Sequence, residues 1–107
     1  MFKKYCMVEI AFDDIEKVNK VCDELLDKKL ISSCQIVESK SKWNWKNKRE
    51  ESNEYLIFLK TKKSNLKNIY SIIEEYHNYE CFEFATFNLK STNKEYLNWI
   101  DSEILNK

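Results

Sequence analysis

The chain has 107 residues, 18 basic and 18 acidic side chains, no net charge, 43% apolar and 14% aromatic residues, and neither glycine nor proline. That length and apolar content suit one domain with a modest core and argue against disorder. Neutrality removes the sequence-independent attraction for nucleic acid and anionic membranes, and the lack of Gly and Pro excludes collagen-like, proline-rich and Gly-rich phosphate-loop chains.

Phe2 to Phe12 alternates, with Phe2, Cys6, Val8, Ile10 and Phe12 nearly sharing one parity, so this segment is predicted to be a strand. Asp13 followed by Glu16 resembles a capping box, and Ile15, Val18, Cys22, Leu25 and Leu26 then recur at helical spacing up to Lys28-Lys29. Cys34, Ile36 and Val37 suggest a buried strand centre, and a shared parity carries that strand on through Ser39, Ser41, Trp43 and Trp45. Asn47 is the expected turn residue, because Asn tolerates positive φ where no Gly is available. The return strand is expected over Asn53 to Thr61, with Leu56 and Phe58 on one side and Tyr55, Ile57 and Leu59 on the other. A second helix follows, capped by Ser64 or Asn65 and burying Leu66, Ile69, Tyr70, Ile73 and Tyr76. Cys81 to Leu89 reads as a fourth strand. Thr92 and Glu95 form a capping-box pair before a last short helix with Tyr96, Trp99, Ile100 and Ile104.

The order β-α-β-β-α-β-α predicts an α+β fold: a ferredoxin-like βαββαβ sandwich with an extra C-terminal helix and a long β-hairpin. In a single chain one face of such a sheet meets water, yet the strands are apolar on both sides and the hairpin carries two Trp beyond the helices. Exposed apolar surface of that size marks an interface, so an oligomer is expected.

Cys6, Cys22, Cys34 and Cys81 form no CxxC pair, which gives no zinc or thioredoxin-like signature. No secretory segment or membrane-length apolar run is seen, so reduced thiols and a cytoplasmic location are expected.

Several motifs in this order resemble those of the CutA divalent-cation tolerance family over essentially the whole chain, residues 1–107, as one domain. They are Cys34, Trp45-Lys46-Asn47-Lys48 at the hairpin tip, Lys60-Thr61, His77-Asn78-Tyr79-Glu80 with Glu83, and Tyr96-Leu97-Asn98-Trp99. The family patterns are Trp-x-Gly-Lys and His-Pro-Tyr-Glu-x-Pro-Glu, so Asn47 stands for a Gly, and Asn78 and Phe82 stand for two Pro. The resemblance implies a homotrimer clasped by its hairpins, with Trp43, Trp45, Tyr96 and Trp99 at the interface. It also implies a tie to divalent metals, copper especially, without established catalysis.

Within that frame His77, the single His, is a candidate ligand for Cu or Zn, with Glu80, Glu83 or Cys34 completing the site. A family Cys near the end of the first strand aligns with Glu9, which exchanges a soft thiolate for a hard carboxylate and disfavours Cu(I). The competing reading of His77 is a residue at a helix C-terminus, bonded locally. A second function, by analogy to PII-like signalling trimers, is a scaffold binding a small anionic metabolite between subunits, with Lys60, Arg49 and Tyr79 lining the cleft. RNA binding on an RRM-like sheet is disfavoured, because Asn53 to Phe58 lacks the Gly and the basic lead of that motif.

Overall fold

The computed structural model of the protein describes residues 4–104. Its elements are β1 (Tyr5–Phe12), α1 (Ile15–Asp27), β2 (Ser33–Trp45), β3 (Lys48–Lys62), a 3-10 turn (Lys63–Asn65), α2 (Leu66–Tyr76), β4 (Ala85–Asn88) and α3 (Lys94–Glu103). The four strands form one antiparallel sheet in the order β2-β3-β1-β4. This is the ferredoxin-like order, with two crossover helices between strands that are parallel but not adjacent.

Side-chain alternation divides the sheet into two unlike faces. Val8 pairs with Leu59 and Ile10 with Ile57, and these residues, with Phe12, are closed under Val18, Val21 and Leu25 of α1 and Ile69 and Ile73 of α2. All ten of these side chains are fully buried. The opposite face carries Glu9, Leu56, Phe58 and Phe87, and only its end is capped by α3. There Asp101 accepts a hydrogen bond from the Tyr5 hydroxyl (2.8 Å) and an ion pair from the nearly buried Lys62 ammonium (2.7 Å). The Lys62 ammonium, foremost, holds the Asp101 carboxyl below its usual range.

Helix and turn ends are built without glycine. Asp14, not Asp13, caps α1, its Oδ1 accepting from the Glu16 amide at 2.9 Å. At the other end Leu30 N–H bonds Leu25 O and Lys29 N–H bonds Leu26 O, both at 3.0 Å. This is a Schellman cap whose left-handed residue is Lys29 at φ 57°. At the hairpin tip Trp45 pairs with Lys48 across Lys46 (φ 50°) and Asn47 (φ 67°). Positive φ at both central residues defines a type I′ turn, whose twist matches the strands. Asn47 thus has the expected role, and Lys46 shares it.

Other expectations shift. Phe2 lies outside the described residues. The return strand begins at Lys48 rather than Asn53, because the hairpin ladder runs unbroken to its tip. Ile36 and Val37 are not buried, since β2 is an edge strand with nothing beyond it. The fourth strand shortens to Ala85–Asn88: Phe82 and Phe84 turn instead onto Tyr70, with ring centroids 5.6 and 5.0 Å away. Asn65 caps α2 only in position, and its side chain donates to Leu30 O at 3.2 Å. Thr92 does not cap α3; its hydroxyl donates to Asn93 Oδ1, and the helix begins one residue later.

Candidate functional site

The open sheet face and the hairpin border an open cavity of about 810 Å³. Glu9, Ala11, Leu56 and Glu54 form its floor, and Tyr79, Glu80, Cys81 and Glu83 of the α2–β4 connection form one wall. Trp43 and Trp45 close it from the hairpin. Seven carboxylates line it (Glu9, Asp13, Glu50, Glu51, Glu54, Glu80 and Glu83) against one cationic side chain, Lys42. Such a surface attracts cations and repels anions.

Two carboxylates meet on the floor. Glu83 lies beside Glu9, and burial, foremost, with the charges of Glu9 and Glu54, raises its carboxyl above the ordinary value. Neighbouring carboxylates disfavour one another's ionisation, and a cation between them relieves that repulsion. Beside them Glu54 is only 7% exposed and accepts a 2.6 Å hydrogen bond from the Tyr79 hydroxyl. Burial, then that bond, pushes the Tyr79 phenol well up, so it stays a donor. Glu80 reaches the hairpin tip instead, 3.8 Å from the Lys46 ammonium, an exposed pair of little energetic weight.

His77 follows α2 and lies between two rings, stacked on Phe12 at 4.2 Å and on Phe82 at 4.7 Å. Its Nε2 meets Ala11 O at 2.6 Å and its Nδ1 accepts from the Tyr79 amide at 3.3 Å. These partners require Nε2–H and a bare Nδ1, which is the neutral tautomer. Burial lowers its pKa, against the pull of the Ala11 carbonyl. Both ring nitrogens are therefore occupied by backbone, and His77 offers no lone pair to a metal in this arrangement. Phe82, where the family pattern has Pro, restores by stacking some of the rigidity that Pro would give.

Cys34 departs furthest from the metal set. It lies on the helix-covered side of the sheet, since it pairs with the inward Leu59, and it is disulfide-bonded to Cys22 of α1. The expectation of four reduced thiols is corrected accordingly; Cys6 and Cys81 are free. Spacing could not reveal this pair, because a helix residue and a strand residue were brought together by the packing of α1 on the sheet. Among the described residues no set of three or more His, Cys, Asp or Glu is arranged to hold a metal ion. His77, Glu80, Glu83, Glu9 and Cys34 thus do not make one site, whereas Glu9 and Glu83 do meet.

Within one chain the residues expected to line an anion cleft lie apart. Lys60 donates to Gln35 Oε1 at 3.1 Å, and Arg49 donates through Nε to Asn44 Oδ1 at 2.8 Å. Eleven positions apart along β3, the two cations are separated by about 36 Å of extended strand. Tyr79 faces Glu54 rather than either of them. Thr61, beside Lys60, is fully buried, its hydroxyl donating to Leu30 O at 2.6 Å, which gives that motif a structural role.

Glu54, Asp13 and Cys22 escaped the sequence reading. Glu54 was reachable, since it shares parity with the outward Leu56 and Phe58 on a strand paired to β1. Trp43 and Trp45 stand on the arm at 37% and 36% exposure, with Lys46 over the Trp45 ring at 5.3 Å. Tyr96 and Trp99 adjoin each other on α3, with centroids 5.8 Å apart.

A ferredoxin-like sandwich with a projecting hairpin and an acidic open face narrows the chain to a structural class. Residues 6–103 match the family model described as the CutA1 divalent ion tolerance protein. The chain belongs to that family. It is 34% identical over 94 residues, 88% of this chain and 90% of the relative, to the divalent-cation tolerance protein CutA of Thermococcus kodakarensis. To the protein of that name from Thermotoga maritima it is 27% identical, over 92% and 98% of the two chains. Among solved structures, CutA1 from Pyrococcus horikoshii superposes with a TM-score of 0.87 at 27% identity, covering 94% and 99%. The CutA1 of a Shewanella species reaches 0.91 at 21% identity over 96% and 97%, a likeness of fold. No helix among the described residues is long and apolar enough to cross a membrane.

Proposed function

We propose that this chain is a homotrimeric divalent-cation tolerance protein that takes up a divalent ion on its open sheet face. The observation that carries the reading is the contact of Glu9 with Glu83 on the floor of an acidic cavity. Two carboxylates supply half of a hard-oxygen ligand set, and water or a neighbouring subunit supplies the rest. With oxygen ligands in place of thiolate, Zn(II) or Cu(II) is accepted and Cu(I) is not. Val37 and Phe87 on the same face, each 46% exposed, together with Trp43, Trp45, Tyr96 and Trp99, are the apolar surface that assembly would cover.

The test is calorimetric titration of Zn(II) and Cu(II), with light-scattering mass, on wild type, Glu83→Gln and His77→Asn. Glu83→Gln is expected to lose most of the ion uptake, and His77→Asn to keep it. Equal uptake by wild type and Glu83→Gln refutes the carboxylate site, and a monomeric mass refutes the assembly.

A further inference from the structure

The Cys22–Cys34 bond lies outside the cavity and outside the cation reading, on the far side of the sheet. Cys22 is nearly buried within α1, whereas Cys34 is half-buried at the start of an edge strand. A thiol reductant therefore reaches the bond from the Cys34 side. The two remaining thiols take no part. Cys6 is sealed under the helices, its thiol raised to about 11 chiefly by burial. With β3 between their strands, Cys6 and Cys34 are roughly 10 Å apart at the least. Cys81 is exposed but lines the cavity across the sheet.

The bond closes a short loop, residues 22–34, that holds two features of the passage from α1 to β2. One is the helix cap with Lys29 in the left-handed region, which an L-residue occupies at a cost. The other is the Leu30 carbonyl, which takes hydrogen bonds from both Thr61 and Asn65 and so fixes how α1 hands over to β2. Ser32 then enters the sheet through Lys60 O. Release of the bond frees this hand-over, and with it the base of the strand that becomes the hairpin arm.

We propose that Cys22–Cys34 is a reversible redox staple that sets how firmly α1 and the arm-bearing edge strand are joined. The reductant is a dithiol. Its thiolate attacks Sγ of Cys34, the S–S bond breaks, and Cys22 leaves as a thiolate that takes up a proton. The reductant's second thiolate then attacks the mixed disulfide and frees Cys34, which is protonated in turn. The two electrons leave the dithiol as a new disulfide, and the chain gains two thiols.

The experiment is alkylation mass spectrometry with thermal unfolding of wild type and the Cys22→Ser/Cys34→Ser double variant, equilibrated across dithiothreitol redox buffers. Alkylated in denaturant after an acid quench, oxidised wild type is expected to label at two cysteines and reduced wild type at four. Its Tm should fall by roughly 10 °C on reduction, the scale expected for a loop of this length. The double variant should show no such shift, and Cys81→Ser should behave as wild type, which separates the effect from intermolecular bonding. Four alkylated cysteines under oxidising buffer, or a wild-type Tm indifferent to reduction, overturns the staple. A bond that survives the fully reduced buffer overturns its reversibility.

Discussion

The two faces of one sheet differ in almost every physical respect. Under α1 and α2 the side chains are aliphatic, fully buried and closed, and the titratable group at their margin, His77, is held neutral by burial and two backbone partners. On the other face aromatic and aliphatic groups are half exposed, and burial, with the neighbouring Glu9 and Glu54 charges, raises the pKa of Glu83. The first face holds the fold together. The second is the face on which the proposed cation uptake rests.

The sharpest break in this contrast is a pair of truncations at similar sites on opposite faces. Leu59→Ala removes a fully buried side chain and is expected to cost about 2–5 kcal/mol of stability by chemical denaturation. Val37→Ala, half exposed, is expected to cost under about 1 kcal/mol within the chain, while lowering the light-scattering mass if that face carries the assembly. Equal costs in the chain would erase the distinction between the faces.

A second test uses pH. Burial lowers the pKa of His77 below its ordinary 6.5, so the unfolded chain binds the proton more readily than the folded one. This contribution is complete above pH 6.5 and is lost as pH falls below it. Glu83 has the opposite sign: its raised pKa makes the folded chain bind the proton better, so its contribution declines as pH rises from the ordinary 4.5. Between pH 7.5 and 5.5, His77→Asn should flatten the fall in Tm, while Glu83→Gln should steepen it by removing the opposing trend. Parallel pH profiles for all three proteins would refute both assignments.

The smallest effect concerns the glycine-free cap. Lys29→Gly relieves the left-handed strain at the end of α1 and should stabilise by about 0.5–1 kcal/mol, with no effect on either face.

The sequence made the first face legible and the second only in part. Alternation in β1 and β3 and the helical spacing of α1 and α2 named most of the core, because burial imposes a period on local sequence, but missed Val21 and Ile72 and took in the exposed Ile15, Leu26 and Tyr70. The Glu9–Glu83 contact came from alignment rather than from any period, since it joins a strand to a loop seventy-four positions away. Val37 and Ile36 were misplaced for a related reason: apolar character marks a residue that will be covered, without saying whether this chain or another does the covering. The Cys22–Cys34 pair was invisible because it depends on helix-to-sheet docking.

The hairpin tip has a consequence in time rather than in space. Asn residues age by attack of the following backbone nitrogen on the side-chain amide, a cyclisation that is fastest when glycine follows and leaves that nitrogen uncrowded. An Asn-Gly tip would give the same type I′ geometry but would be the first covalent bond in the arm to fail. Here Asn47 is followed by Lys48 and sits in a turn fixed by the pairing of Trp45 with Lys48. Asn47 stands where the family pattern has Gly, so this tip gains an amide that can age, and Lys48 behind it keeps that ageing slow.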